Sequence, residues 1–201
     1  MALQNDGSYV ILSKLNTQYC LGVRGDVPAN ESNVILTRTQ AGAVSQRFYI
    51  APITQVLQNG TYTMSPLSAS YRVIDIRGGT TDNLTPAILY SPNNGMNQRM
   101  IITFQQDSGY YVIAIAHSGK VLDVTGLNRT PGTAVIQYQS NGGYNQLWDI
   151  SVASDGSYII RSACNDLSLD VFAEGTDNLT PIIVWPYHGR ANQRWRLIRV
   201  Q

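Results

Sequence analysis

The chain reads as an all-β protein assembled from four tandem repeats of roughly 48 residues, each holding four short strands. Apolar residues fall in short β-branched or aromatic runs separated by Gly, Asn, Asp and Pro clusters, the punctuation of strands and tight turns. No stretch sustains a 3.6-residue apolar period between capping residues, so almost no helix is expected. A glutamine followed two residues on by a large apolar residue recurs as Gln46-Arg-Phe48, Gln98-Arg-Met100, Gln146-Leu-Trp148 and Gln193-Arg-Trp195. The steps from 46 to 98, 98 to 146 and 146 to 193 are 52, 48 and 47 residues.

The first strand of each unit opens alike, at Gly7-Ser-Tyr-Val-Ile, Gly60-Thr-Tyr-Thr-Met, Gly109-Tyr-Tyr-Val-Ile and Gly156-Ser-Tyr-Ile-Ile. Second strands follow at Cys20-Leu-Gly-Val, Val73-Ile-Asp-Ile, Val121-Leu-Asp-Val and Ser168-Leu-Asp-Val. Third strands are expected at Val34-Ile-Leu, Ala87-Ile-Leu-Tyr, Val135-Ile-Gln-Tyr and Ile182-Ile-Val-Trp, and the glutamine motif leads into the fourth. The second and fourth units share Thr-Asp-Asn-Leu-Thr-Pro, at 81–86 and 176–181. The repeats are bounded as 5–53, 56–104, 105–152 and 153–201.

Composition narrows the function. Of 201 residues 43% are apolar, enough for a core, and only 13% are charged against about a quarter in an average soluble protein. A net charge of +1 argues against a nucleic-acid binder, and the arginines at 190, 194, 196 and 199 read as alternating on the outer face of a last strand. No apolar run reaches the roughly 18–20 residues that span a bilayer, so no membrane insertion is expected. The start carries no basic segment followed by an apolar stretch, which points to a cytoplasmic or non-classically released protein. Cys20 and Cys164 are far apart and only His117 and His188 are histidines, so neither a metal site nor any other cofactor is implied. Cys20 reads as a strand residue and Cys164 as a loop or strand-end residue. Sequons at Asn30, Asn59, Asn83, Asn128 and Asn178 carry little weight in a chain this rich in Asn and Thr.

The sequence resembles the ricin-type B-chain lectins. Tyr144-Asn-Gln-Leu-Trp148 and Ala191-Asn-Gln-Arg-Trp195 hold that family's Gln-x-Trp motif in full, and Leu122-Asp-Val-Thr-Gly126 and Leu169-Asp-Val171 match its Leu-Asp-Val segment. The resemblance covers nearly the whole chain and implies a β-trefoil fold with a shallow sugar site in each repeat. It further implies an Asp that accepts from sugar hydroxyls, an aromatic that stacks on the sugar, and an Asn beside the glutamine motif. The chemistry suits a sugar, which has a C–H face for a ring and a hydroxyl rim for a carboxylate and an amide.

Spacing supports three such sites. Asp75, Tyr90 and Asn97 are separated by 15 and 7 residues, and Asp123, Tyr138, Asn145 and Asp170, Trp185, Asn192 repeat both intervals. Asp and Asn are also ordinary turn formers and aromatics ordinary core. That covers any one residue but not three triads at one spacing. Gln98, Gln146 and Gln193 read as supports that hold the Asp loop, and Met100, Trp148 and Trp195 as core. The resemblance also implies a Gly three residues after the Asp, where backbone approaches the ligand. Gly78 and Gly126 meet it, and Ala173 departs from it. In the first repeat Gly22, Arg38 and Ser45 stand where Asp, aromatic and Asn would be, so that repeat reads as structural.

A β-trefoil takes three units and this chain has four. Repeats two to four, 56–201, are expected to form the trefoil with 5–53 as an extra siteless unit, the alternative being a single four-lobed closed ring. A lone repeat leaves apolar strands uncovered, which suggests a homo-oligomer, for instance a trimer in which three first repeats build a further trefoil. The expected function is a non-catalytic, multivalent lectin for galactose- or N-acetylgalactosamine-type glycans on glycoproteins or glycolipids. The alternatives are a protein-binding trefoil such as a protease inhibitor, and the receptor-binding module of a toxin complex. No pair of carboxylates can be placed for glycoside hydrolysis, so an enzyme is not expected.

Overall fold

The computed structural model describes residues 2–3, 9–13, 15–23, 34–41, 43–46, 48 and 55–200. The Gly7-Ser8 opening, the Asn30 sequon and the linker at 50–54 lie outside these residues. The chain divides into two compact units, Met1–Pro52 and Ile53–Gln201.

In the first unit β1 (Ala2–Leu3) pairs antiparallel with β2 (Tyr9–Val10), and β3 (Tyr19–Val23) with β4 (Val34–Arg38). Cys20 is buried in β3, as a small apolar strand residue should be. Gly22 lies opposite Ile35 and Cys20 opposite Thr37.

The second unit carries twelve strands in three rounds of four. The first round is β5 (Gly60–Pro66), β6 (Val73–Ile76), β7 (Thr85–Tyr90) and β8 (Met100–Gln105). The second is β9 (Tyr110–Ile115), β10 (Val121–Val124), β11 (Val135–Tyr138) and β12 (Leu147–Val152). The third is β13 (Tyr158–Ser162), β14 (Ser168–Val171), β15 (Ile182–Trp185) and β16 (Trp195–Arg199). The outer strands of each round make a closed barrel in which β5 meets β8, β8 meets β9, β9 meets β12, β12 meets β13 and β13 meets β16. Five consecutive pairs from Trp195↔Pro66 to Arg199↔Tyr62 shut the ring between β16 and β5. Three rounds therefore complete the barrel, and the four-lobed ring is corrected. A six-stranded barrel is narrow enough for side chains to fill, and it leaves no edge between β5 and β16 for a fourth lobe.

Met64, Met100, Ile102, Ile113, Ile115, Trp148, Ile160 and Trp195 fill the interior with no exposure at all. Alternation along β8 and β9 follows the pleat, with Met100, Ile102, Tyr111 and Ile113 facing inward. The inner strands of each round form hairpins, β6–β7, β10–β11 and β14–β15, that cap one end of the barrel. They touch in cyclic order: Pro86 bridges to Ile136, Ala134 to Ile183 and Pro181 to Ile88. One threefold relation thus governs barrel and cap alike.

Two further expectations are corrected. Among the described residues eight one-turn 3-10 segments occur, where almost no helix was expected. A three-residue turn needs no amphipathic period, so periodicity cannot announce it. The arginines at 190 and 194 precede β16 and form ion pairs with Glu174 and Asp155, leaving Arg196 and Arg199 as the exposed pair on the strand. Cys164 sits buried in the turn after β13.

Candidate functional site

The second strand of each round is only four residues long and buried throughout, yet its third residue is an aspartate. Asp75, Asp123 and Asp170 each lie opposite an isoleucine of the hairpin partner, Ile88, Ile136 and Ile183. The carboxylates belong to the strand itself. Burial pushes all three carboxyls above their ordinary value of 3.8. Hydrogen bonds from the neighbouring Gln and Asn pull the other way in each, as does the charge of His117 at Asp75 and of His188 at Asp170.

A glutamine holds each aspartate in place. The Nε2 groups of Gln98, Gln146 and Gln193 donate to Oδ2 of Asp75, Asp123 and Asp170 at 2.8, 2.8 and 2.7 Å. The same nitrogens donate to the carbonyls of Ser91, Gln139 and Pro186, each at 3.0 Å. Each Oε1 accepts a backbone N–H from Asn93, Asn141 or His188 at 2.8–2.9 Å. One amide thus ties the strand, the end of the hairpin and the following loop together, using Oδ2 and leaving Oδ1 for a donor from outside. The tryptophan of the motif works from beneath. Trp148 Nε1 donates to Leu122 O and Trp195 Nε1 to Leu169 O, the carbonyls just before Asp123 and Asp170. Met100 has no such donor, so Asp75 lacks this tie.

Around each aspartate the predicted partners converge. Asp75, Gly78, Tyr90 and Asn97 line one open depression of about 450 Å³. Asp123, Gly126, Tyr138 and Asn145 line a second of about 570 Å³. Asp170, Ala173, Trp185 and Asn192 line a third of about 410 Å³. The aromatics end β7, β11 and β15, half-exposed or exposed, with Trp185 at 42%. The Asn amides donate to the carbonyl that ends the Asp strand, at Ile76, Val124 and Val171. Asn192 also donates to Asp170 Oδ2, at 3.1 Å. Gly78, Gly126 and Ala173 all sit in left-handed backbone, with φ of 66°, 65° and 51°. The loop therefore keeps one shape in all three rounds, and in the third an alanine carries a conformation that suits glycine.

Several lining residues escaped the reading of the sequence. Asn93 and Asn141 turn the loop by accepting the N–H of Gly95 and Gly143, and His188 does so for Arg190. Their common spacing ahead of the glutamine was the available signal. A Cβ on Gly95 or Gly143 would stand 2.4 or 2.5 Å from the Asn97 or Asn145 carbonyl oxygen, so glycine lets that side chain lie flat. Arg190 replaces it in the third round, and His188 Nε2 stands 3.6 Å from Asp170 Oδ2.

The first unit keeps the brace without the site. Gln46 Nε2 donates to Arg38 O and its Oε1 accepts from Gln40 N. Gly22 takes the aspartate position opposite Ile35, but the aromatic position falls on Thr37, opposite Cys20, and not on Arg38. Antiparallel register fixes this, since the aromatics pair with the residue two before the aspartate.

Similarity to known proteins agrees with this geometry. A family profile described as ricin-type beta-trefoil lectin domain-like matches residues 2–90 and 96–185. Flavastacin from Elizabethkingia meningoseptica is 42% identical over 55 residues, which are 27% of this chain and 12% of that protein's length. The designed threefold-symmetric protein ThreeFoil superposes at a TM-score of 0.68 with 32% identity, over 71% of this chain and all of its own. The Rhizoctonia solani agglutinin superposes at 0.65 with 26% identity, over 75% of this chain and all of its own.

Proposed function

The chain belongs to the family of ricin-type β-trefoil lectin-like domains, and from that premise we propose that it is a non-catalytic, multivalent lectin whose three sugar sites are centred on Asp75, Asp123 and Asp170. One observation carries the reading: three buried carboxylates, each with one oxygen tied by glutamine, face depressions walled by an aromatic and an asparagine. A carboxylate held this way accepts from sugar hydroxyls without giving up its own support, the asparagine adds polar contact, and the ring covers the C–H face. Among the described residues Asp75 and Asp123 are each the one carboxylate in their depressions, and in the third Glu174 is ion-paired with Arg190 beside Asp170, which suits acceptors and not an acid–base pair. Galactose- and N-acetylgalactosamine-type glycans on glycoproteins or glycolipids are the ligands the family suggests. Each shallow site alone is weak, and three on one molecule raise avidity by roughly 10²–10⁴ on a dense glycan surface.

A glycan array run beside the triple variant Asp75→Ala, Asp123→Ala, Asp170→Ala tests the reading. A coherent set of glycans bound by the wild type and lost in the variant is the expected outcome. A folded wild type that binds no glycan overturns it and turns the search to protein partners. For the siteless first unit an assembly role is proposed, and light scattering reads it directly: a trimer is expected, and a monomer at micromolar concentration rules it out.

A further inference from the structure

The Thr-Asp-Asn-Leu-Thr-Pro motif at 81–86 and 176–181 has no part in the site of its own round. Its leucine crosses to another. Leu84 lines the depression of Asp123, and Leu179 lines that of Asp75. The same cyclic order that joins the hairpins brings them there. Leu84 N donates to Gln137 O while Asn83 Oδ1 accepts from Gln139 N, so the loop grips the chain on both sides of Tyr138. Leu179 N and Asn178 Oδ1 hold Leu89 and Ser91 in the same way, on both sides of Tyr90. The second threonine closes each loop, Thr85 Oγ1 onto Asp82 O and Thr180 Oγ1 onto Asp177 O.

Both leucines sit in left-handed backbone, with φ of 68° and 71°, and remain 60% and 52% exposed. Packing does not account for a branched side chain kept out in solvent on a backbone that favours glycine. The third site meets glycine instead: Gly132 of the second round, with φ of 89°, donates to Val184 O at the equivalent place. There the aromatic is Trp185, and a Cβ on Gly132 would stand 3.6 Å from its Cζ3. Two sites thus present tyrosine with leucine, and the third presents the larger indole beside glycine.

We propose that Leu84 and Leu179 are sugar-contacting residues supplied across the lobe boundary, completing in two sites the apolar wall that Trp185 and Phe172 form within their own round in the third. The inference rests on the lectin reading and adds to it that the glycans at the Asp75 and Asp123 sites are each held by two rounds of the fold.

The test titrates lactose and N-acetylgalactosamine into wild type, Leu84→Gly, Leu179→Gly and Gly132→Leu. Each site is followed separately by NMR, through the Gly78 and Gly126 amides and the Trp185 indole. Leu84→Gly should weaken the Asp123 site about fivefold and leave the other two unchanged, and Leu179→Gly should do the same at Asp75. Glycine relieves the backbone in both, so the melting temperature is expected not to fall. Gly132→Leu should weaken the Asp170 site alone, by crowding the indole. Unchanged affinity in both leucine variants overturns the inference while the lectin reading stands, and equal weakening at all sites overturns it by showing an effect through the fold. A wild type that responds to neither sugar removes the lectin reading and the inference with it.

Discussion

At the scale of single residues, the three aspartates set the terms. Each is buried, and burial holds its carboxyl above the ordinary value of 3.8 in the folded protein. A raised folded value means that the native state holds its proton to higher pH than the unfolded chain. The associated stability is full below the unfolded value and lost as pH rises through the folded one. At neutral pH the fold therefore keeps three ionised groups against its own stability. Acidification through the window above 3.8 should weaken sugar binding, because a protonated carboxyl loses acceptor capacity, without these three groups lowering the melting temperature. Calorimetric titration with lactose from pH 7 to pH 4, beside thermal melts, checks both halves. Affinity that holds constant down to pH 4 would contradict the role given to the carboxylates. These residues were legible in the sequence because aspartate, aromatic and asparagine recur at fixed intervals. Thr37 was legible in the same way, standing 15 residues after Gly22 as each aromatic stands after its aspartate. The stretch from there to Ser45 is one residue longer than in the other rounds, so counting back from Ser45 lands on Arg38, and the β3–β4 register decides for Thr37.

At the scale of the element, the glutamine turn is the unit that makes a site. In one amide Gln146 joins β10, the end of β11 and the loop at Asn141. Gln46 retains two of these three ties where Gly22 takes the place of the aspartate, so shaping the loop is separable from holding a carboxylate. Gln146→Ala would leave the Asn141 N–H, the Gln139 carbonyl and Asp123 without their partner. The expected cost is about 2–3 kcal/mol in urea unfolding, with the Asp123 site weakened more than the other two. A stability loss below about 0.5 kcal/mol would reduce the brace to an incidental contact. The motif was visible as a repeat of Gln and Trp. Its hold on the Asp loop was expected too, but not its three separate partners, because Gln146 lies in the turn before β12 and meets Asp123 of β10 only when the hairpin folds back.

For the whole molecule, closure matters most. The β16–β5 ladder runs through Leu197↔Met64 and uses the first and last strands of the second unit, so residues 53–201 complete their barrel among themselves. Tyr111 secures the entry to it, its hydroxyl accepting the N–H groups of Val56 and Leu57. Residues 53–201 expressed alone should unfold in one cooperative transition and keep three sugar sites. A molten product, with native-like far-ultraviolet and absent near-ultraviolet circular dichroism, would show that the first unit is needed for packing. Four of the five sequons fall on described residues, and their asparagines serve this architecture. Asn59, Asn83 and Asn178 accept backbone N–H groups from distant segments, and Asn128 turns its own loop.

The sequence by itself determined that the protein is all-β and repetitive, where its strands lie, and which three triads stand at one spacing, because strand alternation and repeat length are local and periodic. Only the tertiary structure decided between three rounds and four in the barrel, which groups each glutamine ties, and that Leu84 and Leu179 stand at the sites of neighbouring rounds. The reason is physical. The glutamine ties join residues 23 apart and form only when a hairpin folds back, while the leucines are placed by the rotation of one lobe against the next, and no period along the chain records which neighbour a loop will meet.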